Sequence, residues 1–121
     1  MKTVLIVDDI PEYVDSLDFY LSRPGRTIIK AASLEEAKQM AKGIPPDIAI
    51  IDVCLSEQDP MNIEGLDFLR WLKEWKPNTK AVVISAYRSF DYAVEALNLG
   101  AERFLKKPLN LHELEDTLKG L

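Results

Sequence analysis

The sequence predicts an α/β protein, a (βα)5 doubly wound sheet of five parallel strands. Two observations predict it. Short β-branched runs alternate with segments of helical periodicity, and three of those runs, VLIV, IAII and AVVI, are continuously apolar. A strand covered on both faces has no solvent side, so continuous apolar runs mark parallel strands sandwiched between helices. The connections are short, and right-handed crossovers then wind the helices onto both faces of one sheet.

Taken in order, the first strand is expected over Thr3–Val7 and ends at Asp8-Asp9. Pro11 suits the first turn of a helix, where its missing N–H is not needed. From Tyr13 to Leu21 that helix sets Val14, Leu17 and Leu21 on one face. A second strand covers Thr27–Lys30. Ser33 with Glu36 then forms a capping box for a helix that turns Leu34, Ala37 and Ala41 inward and stops at Gly43 and Pro45-Pro46. The third strand, Asp47–Val53, leads into the one irregular connection, CLSEQDPMNIEG. A helix over Gly65–Trp75 follows, stopped by Pro77. Its Leu66, Leu69 and Leu72 supply the inward face, and Phe68, Trp71 and Trp75 widen the apolar arc; these three are expected to pack under the loop against Met61 and Ile63. The fourth strand is Ala81–Ser85, and the fourth helix runs Ser89–Leu99 to a stop at Gly100. Arg103–Lys106 is the fifth strand. Asn110 with Glu113 caps a last helix, striped by Leu111, Leu114, Leu118 and Leu121.

Composition narrows the function classes. At 121 residues, 47% hydrophobic and 29% charged, the chain suits a single folded domain over residues 1–121 with no second domain. A net charge of −5 argues against a nucleic-acid surface. The single Cys54 excludes an internal disulfide and fits a reducing compartment. No apolar run approaches the roughly 18 residues of a membrane helix. The N-terminus, MKTVLIVDD, meets an acidic pair too early for a secretory signal. The expectation is a cytoplasmic domain with no membrane contact.

The acids carry the chemistry. Adjacent like charges repel, so Asp8-Asp9 costs stability unless a cation or positive group lies beside it. One aspartate suffices to cap a helix; the second needs another reason. In doubly wound sheets ligands bind beyond the carboxyl ends of the strands, where strand order reverses. That edge receives Asp8-Asp9 from the first strand, Asp52 from the third, Ser85 from the fourth and Lys107 after the fifth. Clustered carboxylates are hard oxygen ligands suited to Mg²⁺. Asp52 is then placed to attack phosphorus, with Lys107 and the Ser85 hydroxyl holding the developing negative charge.

With VLIVDD, IIDV, ISA and GAERFLKKP in this order, the chain resembles the receiver domain of bacterial two-component response regulators over essentially its whole length. The resemblance implies a flavodoxin-like fold that takes a phosphoryl group from a histidine kinase or a histidine phosphotransfer protein and passes a surface change to a downstream effector. It implies Asp52 as phosphoacceptor, Asp9 and Asp52 as direct Mg²⁺ ligands, Asp8 acting mostly through water, and the Cys54 carbonyl as a further metal oxygen. Lys107, not Lys106, takes the role of the family's lysine, and Ser85 with Phe104 resembles its switch pair. Catalysis is then confined to self-phosphorylation from a donor and to the hydrolysis that reverses it. The fourth and fifth helices often mediate receiver dimers, so a phosphorylation-dependent dimer is a further implication.

The chain departs from the family in two places. Ser56 stands where a proline is usual, and the loop to Gly65 is longer than the commonest form. Three other classes fit less well. A phosphohydrolase with an aspartyl nucleophile carries Asp-x-Asp after one strand, whereas these acids are adjacent and the third lies elsewhere. A flavin site needs a phosphate cradle after the first strand, and DDIPE repels phosphate. A receiver-like module that works without phosphorylation has no need of the full acid set. His112 reads as a solvated surface residue. Cys54 lies beside the path of attacking water in receivers, and a thiol orients water poorly.

Overall fold

The five runs form β1 (Lys2–Val7), β2 (Arg26–Ala31), β3 (Ile48–Asp52), β4 (Lys80–Ser85) and β5 (Arg103–Lys106). Between and after them lie α1 (Pro11–Leu21), α2 (Leu34–Gly43), α3 (Glu64–Trp75), α4 (Phe90–Asn98) and α5 (Leu111–Lys119). The computed structural model describes residues 2–86 and 90–121. The strands make one parallel sheet in the order β2-β1-β3-β4-β5, the flavodoxin-like (βα)5 arrangement. Strand order reverses between β1 and β3, whose register pairs Val4 with Ile48 and Val7 with Ile51.

Alternation along each strand divides the core in two. Leu5, Val7, Ala49, Ile51, Ala81 and Val83 face α2, α3 and α4. Val4, Ile6, Ile48, Ile50, Val82 and Ile84 face α1 and α5, meeting Val14, Leu17, Leu21, Leu114 and Leu118. Both faces are covered, which is why these strands carry no polar alternation. Among the described residues no helix is long and apolar enough to cross a membrane.

The caps follow the sequence closely. Ser33 Oγ accepts the Glu36 N–H at 3.2 Å, and Glu36 Oε1 accepts the Ala32 N–H at 2.9 Å. Asn110 Oδ1 accepts the Glu113 N–H at 3.0 Å. At the end of α4, Gly100 has φ +105°, with its N–H on the Leu97 carbonyl and that of Ala101 on the Ala96 carbonyl. This is a Schellman stop, and its left-handed position favours glycine. The expected start of α4 at Ser89 lies outside the described residues.

Some boundaries differ. α1 begins at Pro11, and its cap position, Ile10, makes no side-chain cap bond. Neither acid caps the helix; Asp8 Oδ1 instead accepts the Ile10 N–H at 3.0 Å, closing the turn after β1. β3 is shorter than Asp47–Val53, although the Asp47 backbone still bonds Thr3 and Lys80, and its side chain also accepts the Thr3 N–H at 2.8 Å. The packing expected of the aromatic residues on α3 needs correction. Phe68 is fully buried, Trp71 stacks between Phe68 and Trp75 at centroid distances of 5.8 and 5.1 Å, and Lys38 and Lys42 of α2 lie over Trp71. Met61 is 76% exposed and does not cover this stack, whereas Ile63 packs against the same core cluster as Phe68 and Trp71.

Candidate functional site

Each strand of the right-hand part of the sheet delivers one piece of the site to the same edge. Asp8 and Asp9 follow β1, Asp52 is the last residue of β3, Ser85 the last of β4, and Lys107 the first after β5. One carboxylate oxygen each from Asp8, Asp9 and Asp52 lies within 4.8 Å of the others. The Lys107 ammonium donates to Asp8 Oδ2 at 3.1 Å and to Asp52 Oδ2 at 2.8 Å. Asp8, Asp52 and Lys107 are all buried, while Asp9 is partly open to solvent.

Electrostatics explains how so much charge survives there. Burial pushes the Asp52 carboxyl up to about 6, and the charge of Asp8 adds to the rise; the Lys107 hydrogen bond and charge oppose both. Asp9 is raised by burial and by Asp8, against hydrogen bonds from its own N–H and that of Glu57. Burial alone lowers the Lys107 pKa, but Asp52 and Asp8 outweigh it and hold the ammonium above its ordinary value. The carboxyl groups of Asp8, Asp9 and Asp52 face one ammonium, and this acidic excess fits a hard divalent cation that keeps part of its water. The donor set is all oxygen, with no imidazole and no thiolate, so it suits Mg²⁺ better than a soft metal.

The acids floor a cavity of about 500 Å³ whose lining includes Asp9, Asp52, Cys54, Ser56, Ala86 and Lys107. Burial pushes the Cys54 thiol up, and the charges of Asp52, Asp9 and Asp59 do the same. Its Sγ donates to the carbonyls of Ser56 and Asp59 at 3.1 and 3.4 Å, so it is a neutral thiol turned into its own loop. That geometry opposes a reactive-thiolate role. Ser85 is buried, and its carbonyl accepts the Lys107 N–H at 2.8 Å. Phe104 is half-buried, opposite Val83 in register and packed against the core beneath α4. It does not line the cavity. Lys106 is exposed, which leaves Lys107 as the lysine of the site.

Three features of the site escaped the sequence. Gly65 opens α3 directly against the Asp52 backbone: a Cβ there would run into the Asp52 carbonyl oxygen and lie 2.8 Å from Val53 Cα. Its N–H donates to the Val53 carbonyl at 2.9 Å. Asn62 staples the loop, its Oδ1 accepting the N–H groups of Leu55 and Glu64, both at 3.0 Å. The Tyr13 ring lies against Lys107, with Nζ 4.0 Å from the ring centroid. An asparagine just before a helix is a legible turn signal; the other two contacts depend on tertiary approach.

Known proteins place this geometry. The family model of the response regulator receiver domain matches residues 4–119. The response regulator protein PilR of Pseudomonas aeruginosa is 33% identical over 115 residues, 95% of this chain and 25% of that protein. The photosynthetic apparatus regulatory protein RegA of Cereibacter sphaeroides is 30% identical over 117 residues, 97% of this chain and 61% of that protein. Among solved structures, a CheY-like receiver domain protein from Methanospirillum hungatei superimposes with a TM-score of 0.89 at 28% identity, covering 99% of this chain and 92% of that one. A response regulator from Burkholderia pseudomallei, described with a phosphorylated aspartic acid, a calcium ion and citrate, gives a TM-score of 0.85 at 27% identity, over 98% of this chain and 66% of that one. The chain belongs to the response regulator receiver domains, signalling switches of two-component systems rather than enzymes acting on a separate substrate. It spans less than two thirds of the length of both curated relatives.

Proposed function

We propose that residues 1–121 act as one phosphoacceptor domain in which Asp52 takes a phosphoryl group from a histidine kinase or a histidine phosphotransfer protein. The observation that carries this reading is the buried Asp8–Lys107–Asp52 bridge, whose Asp52 and Lys107 line an open cavity. An Asp52 oxygen attacks phosphorus, the bond to the donor breaks, and the leaving group departs with the bonding electrons, giving an acyl phosphate. Bound Mg²⁺ would supply positive charge to the phosphoryl oxygens, held by Asp9, Asp52, the Cys54 carbonyl and, through water, Asp8. Lys107 then exchanges its carboxylate partners for a phosphoryl oxygen, and the Ser85 hydroxyl donates to another.

The switch follows from magnitudes. Hydrogen bonds to a charged group contribute roughly 1.5–3 kcal/mol each; the Ser85 contact is newly made, whereas Lys107 exchanges one charged acceptor for another. Moving a two-state equilibrium from mostly one form to mostly the other takes about 5.5 kcal/mol. The Ser85 contact supplies roughly a quarter to a half of that. Phe104, on β5 beside β4, follows Ser85 and alters the surface of α4 and β5 that a downstream effector or a second copy reads. The related regulator described with a phosphorylated aspartic acid and a calcium ion supports both the chemistry and the cation. Incubation with acetyl phosphate and Mg²⁺ tests the proposal: intact mass rises by one phosphoryl group, and excess chelator abolishes the gain. An undiminished gain in chelator contradicts the role of the cation.

A further inference from the structure

Lys107 has a third partner. Two of its ammonium protons go to Asp8 and Asp52, and the Tyr13 ring, in the first turn of α1, lies at 4.0 Å from Nζ. The three other lysine–aromatic contacts among the described residues are all looser, at 5.6–5.9 Å. They lie on the surface of α2 and α3, whereas Lys107 is buried. A cation over an aromatic face is attracted more strongly as water is excluded, so this contact is the strongest of the four. Tyr13 itself is 39% exposed and does not line the cavity, so its ring has no contact with a phosphodonor seated there.

We propose that Tyr13 is a positioning residue for phosphoryl transfer, acting through Lys107. The inference rests on the phosphoacceptor role of Asp52. A ring face is a diffuse partner with no fixed acceptor direction. The ammonium therefore stays seated against it while its directed hydrogen bonds pass from the carboxylates to a phosphoryl oxygen. A carboxylate in the place of the ring would compete with the phosphoryl group for the same protons. An aliphatic side chain would leave the ammonium held by Asp8 and Asp52 alone and would admit water beside it. The ring keeps Lys107 mobile in its bonding but fixed in its place.

The test is the rate of phosphorylation by acetyl phosphate at fixed Mg²⁺ and pH, followed by intact mass. Tyr13→Leu is expected to react about five- to tenfold more slowly, the size of effect a partly desolvated cation–π contact gives, and to reach the same singly phosphorylated product. Tyr13→Phe keeps the ring face and is expected within about twofold of wild type. In a Lys107→Ala background, Tyr13→Leu should add no further loss, because its partner is already gone. A wild-type rate for Tyr13→Leu overturns the proposal, as does a Tyr13→Phe protein as slow as Tyr13→Leu. So does an undiminished Tyr13→Leu loss in the Lys107→Ala background. Wild-type protein that gains no phosphoryl group at all overturns the phosphoacceptor reading itself, a result distinct from normal phosphorylation that ignores Tyr13.

Discussion

Ser85 and Cys54 stand near Asp52 with two different kinds of side chain, and under the proposed function each would set a separate property of the phosphorylated state. Ser85 is buried at the end of β4, tied through its carbonyl to the Lys107 N–H. In the proposed switch its hydroxyl converts phosphorylation into movement, so Ser85→Ala is predicted to accept phosphate yet leave the α4 and β5 surface unchanged. Amide chemical shifts with and without a beryllofluoride mimic decide this; equal shifts in wild type and Ser85→Ala would remove Ser85 from the mechanism. We propose that Cys54 governs persistence. Its thiol is turned to the Ser56 and Asp59 carbonyls, so it offers little to a water attacking phosphorus. Cys54→Asn supplies an amide that can orient that water and is expected to shorten the phosphoryl lifetime about tenfold, a barrier change of about 1.4 kcal/mol. Decay after donor removal measures it, and a lifetime equal to or longer than wild type rejects the role. At this scale Asp8, Asp9 and Asp52 were legible because each stands at the end of an apolar run, and Lys107 because it follows the fifth strand beside Pro108. Tyr13 was not. Its partner lies at the far end of the chain, and nothing in helical spacing marks a ring that will meet Lys107.

α5 is locked to the body of the domain by one buried carboxylate. Glu115 takes both guanidinium nitrogens of Arg26, at 2.9 and 3.2 Å, and pairs with Arg23 at 2.7 Å. The Arg26 hydrogen bonds hold the Glu115 carboxyl below its ordinary 4.5, with Arg23 adding to the effect. Its stabilisation is therefore complete above pH 4.5 and lost as pH falls through the lower folded value. Glu115→Gln should cost about 1.5–3 kcal/mol at neutral pH, with the difference from wild type narrowing in acid. Urea unfolding at the two pH values checks this; a cost that does not shrink in acid contradicts the charge argument. α3 is held by a different device. Gly65→Ala sets a methyl group into the Asp52 backbone and should destabilise by about 1–3 kcal/mol, slowing phosphorylation as the nucleophile shifts. Wild-type stability and rate in that variant would mean α3 can move away at no cost. Helix caps were legible at this scale because capping is local: Ser33 and Asn110 act within one turn. The stack of Phe68, Trp71 and Trp75 was read as lying under the loop because periodicity fixes a face but not the neighbour that covers it. The lysines over Trp71 come from α2, which no pattern within α3 reveals.

Across the whole molecule, strand order concentrates the chemistry. Placing β1 beside β3 and β3 beside β4 brings acids distant in sequence to one edge, and burial on both faces keeps these central strands apolar up to their carboxyl ends. Continuous apolar runs made the sheet legible, and the acids at their ends made the site legible. The loop from Cys54 to Gly65 was not, since its shape depends on Asn62, Asp59 and the Cys54 thiol meeting backbone groups of the same loop. The central claim is that this convergence makes the Asp52 carboxylate the phosphoryl acceptor. Borohydride reduction tests it most directly, because it converts an acyl phosphate into an alcohol that peptide mass spectrometry can locate. After treatment with acetyl phosphate and Mg²⁺, the reduced group is predicted at Asp52 alone and absent from Asp52→Asn. Reduction at another carboxylate in wild type, or a phosphoryl group retained by Asp52→Asn under the same conditions, would contradict the account.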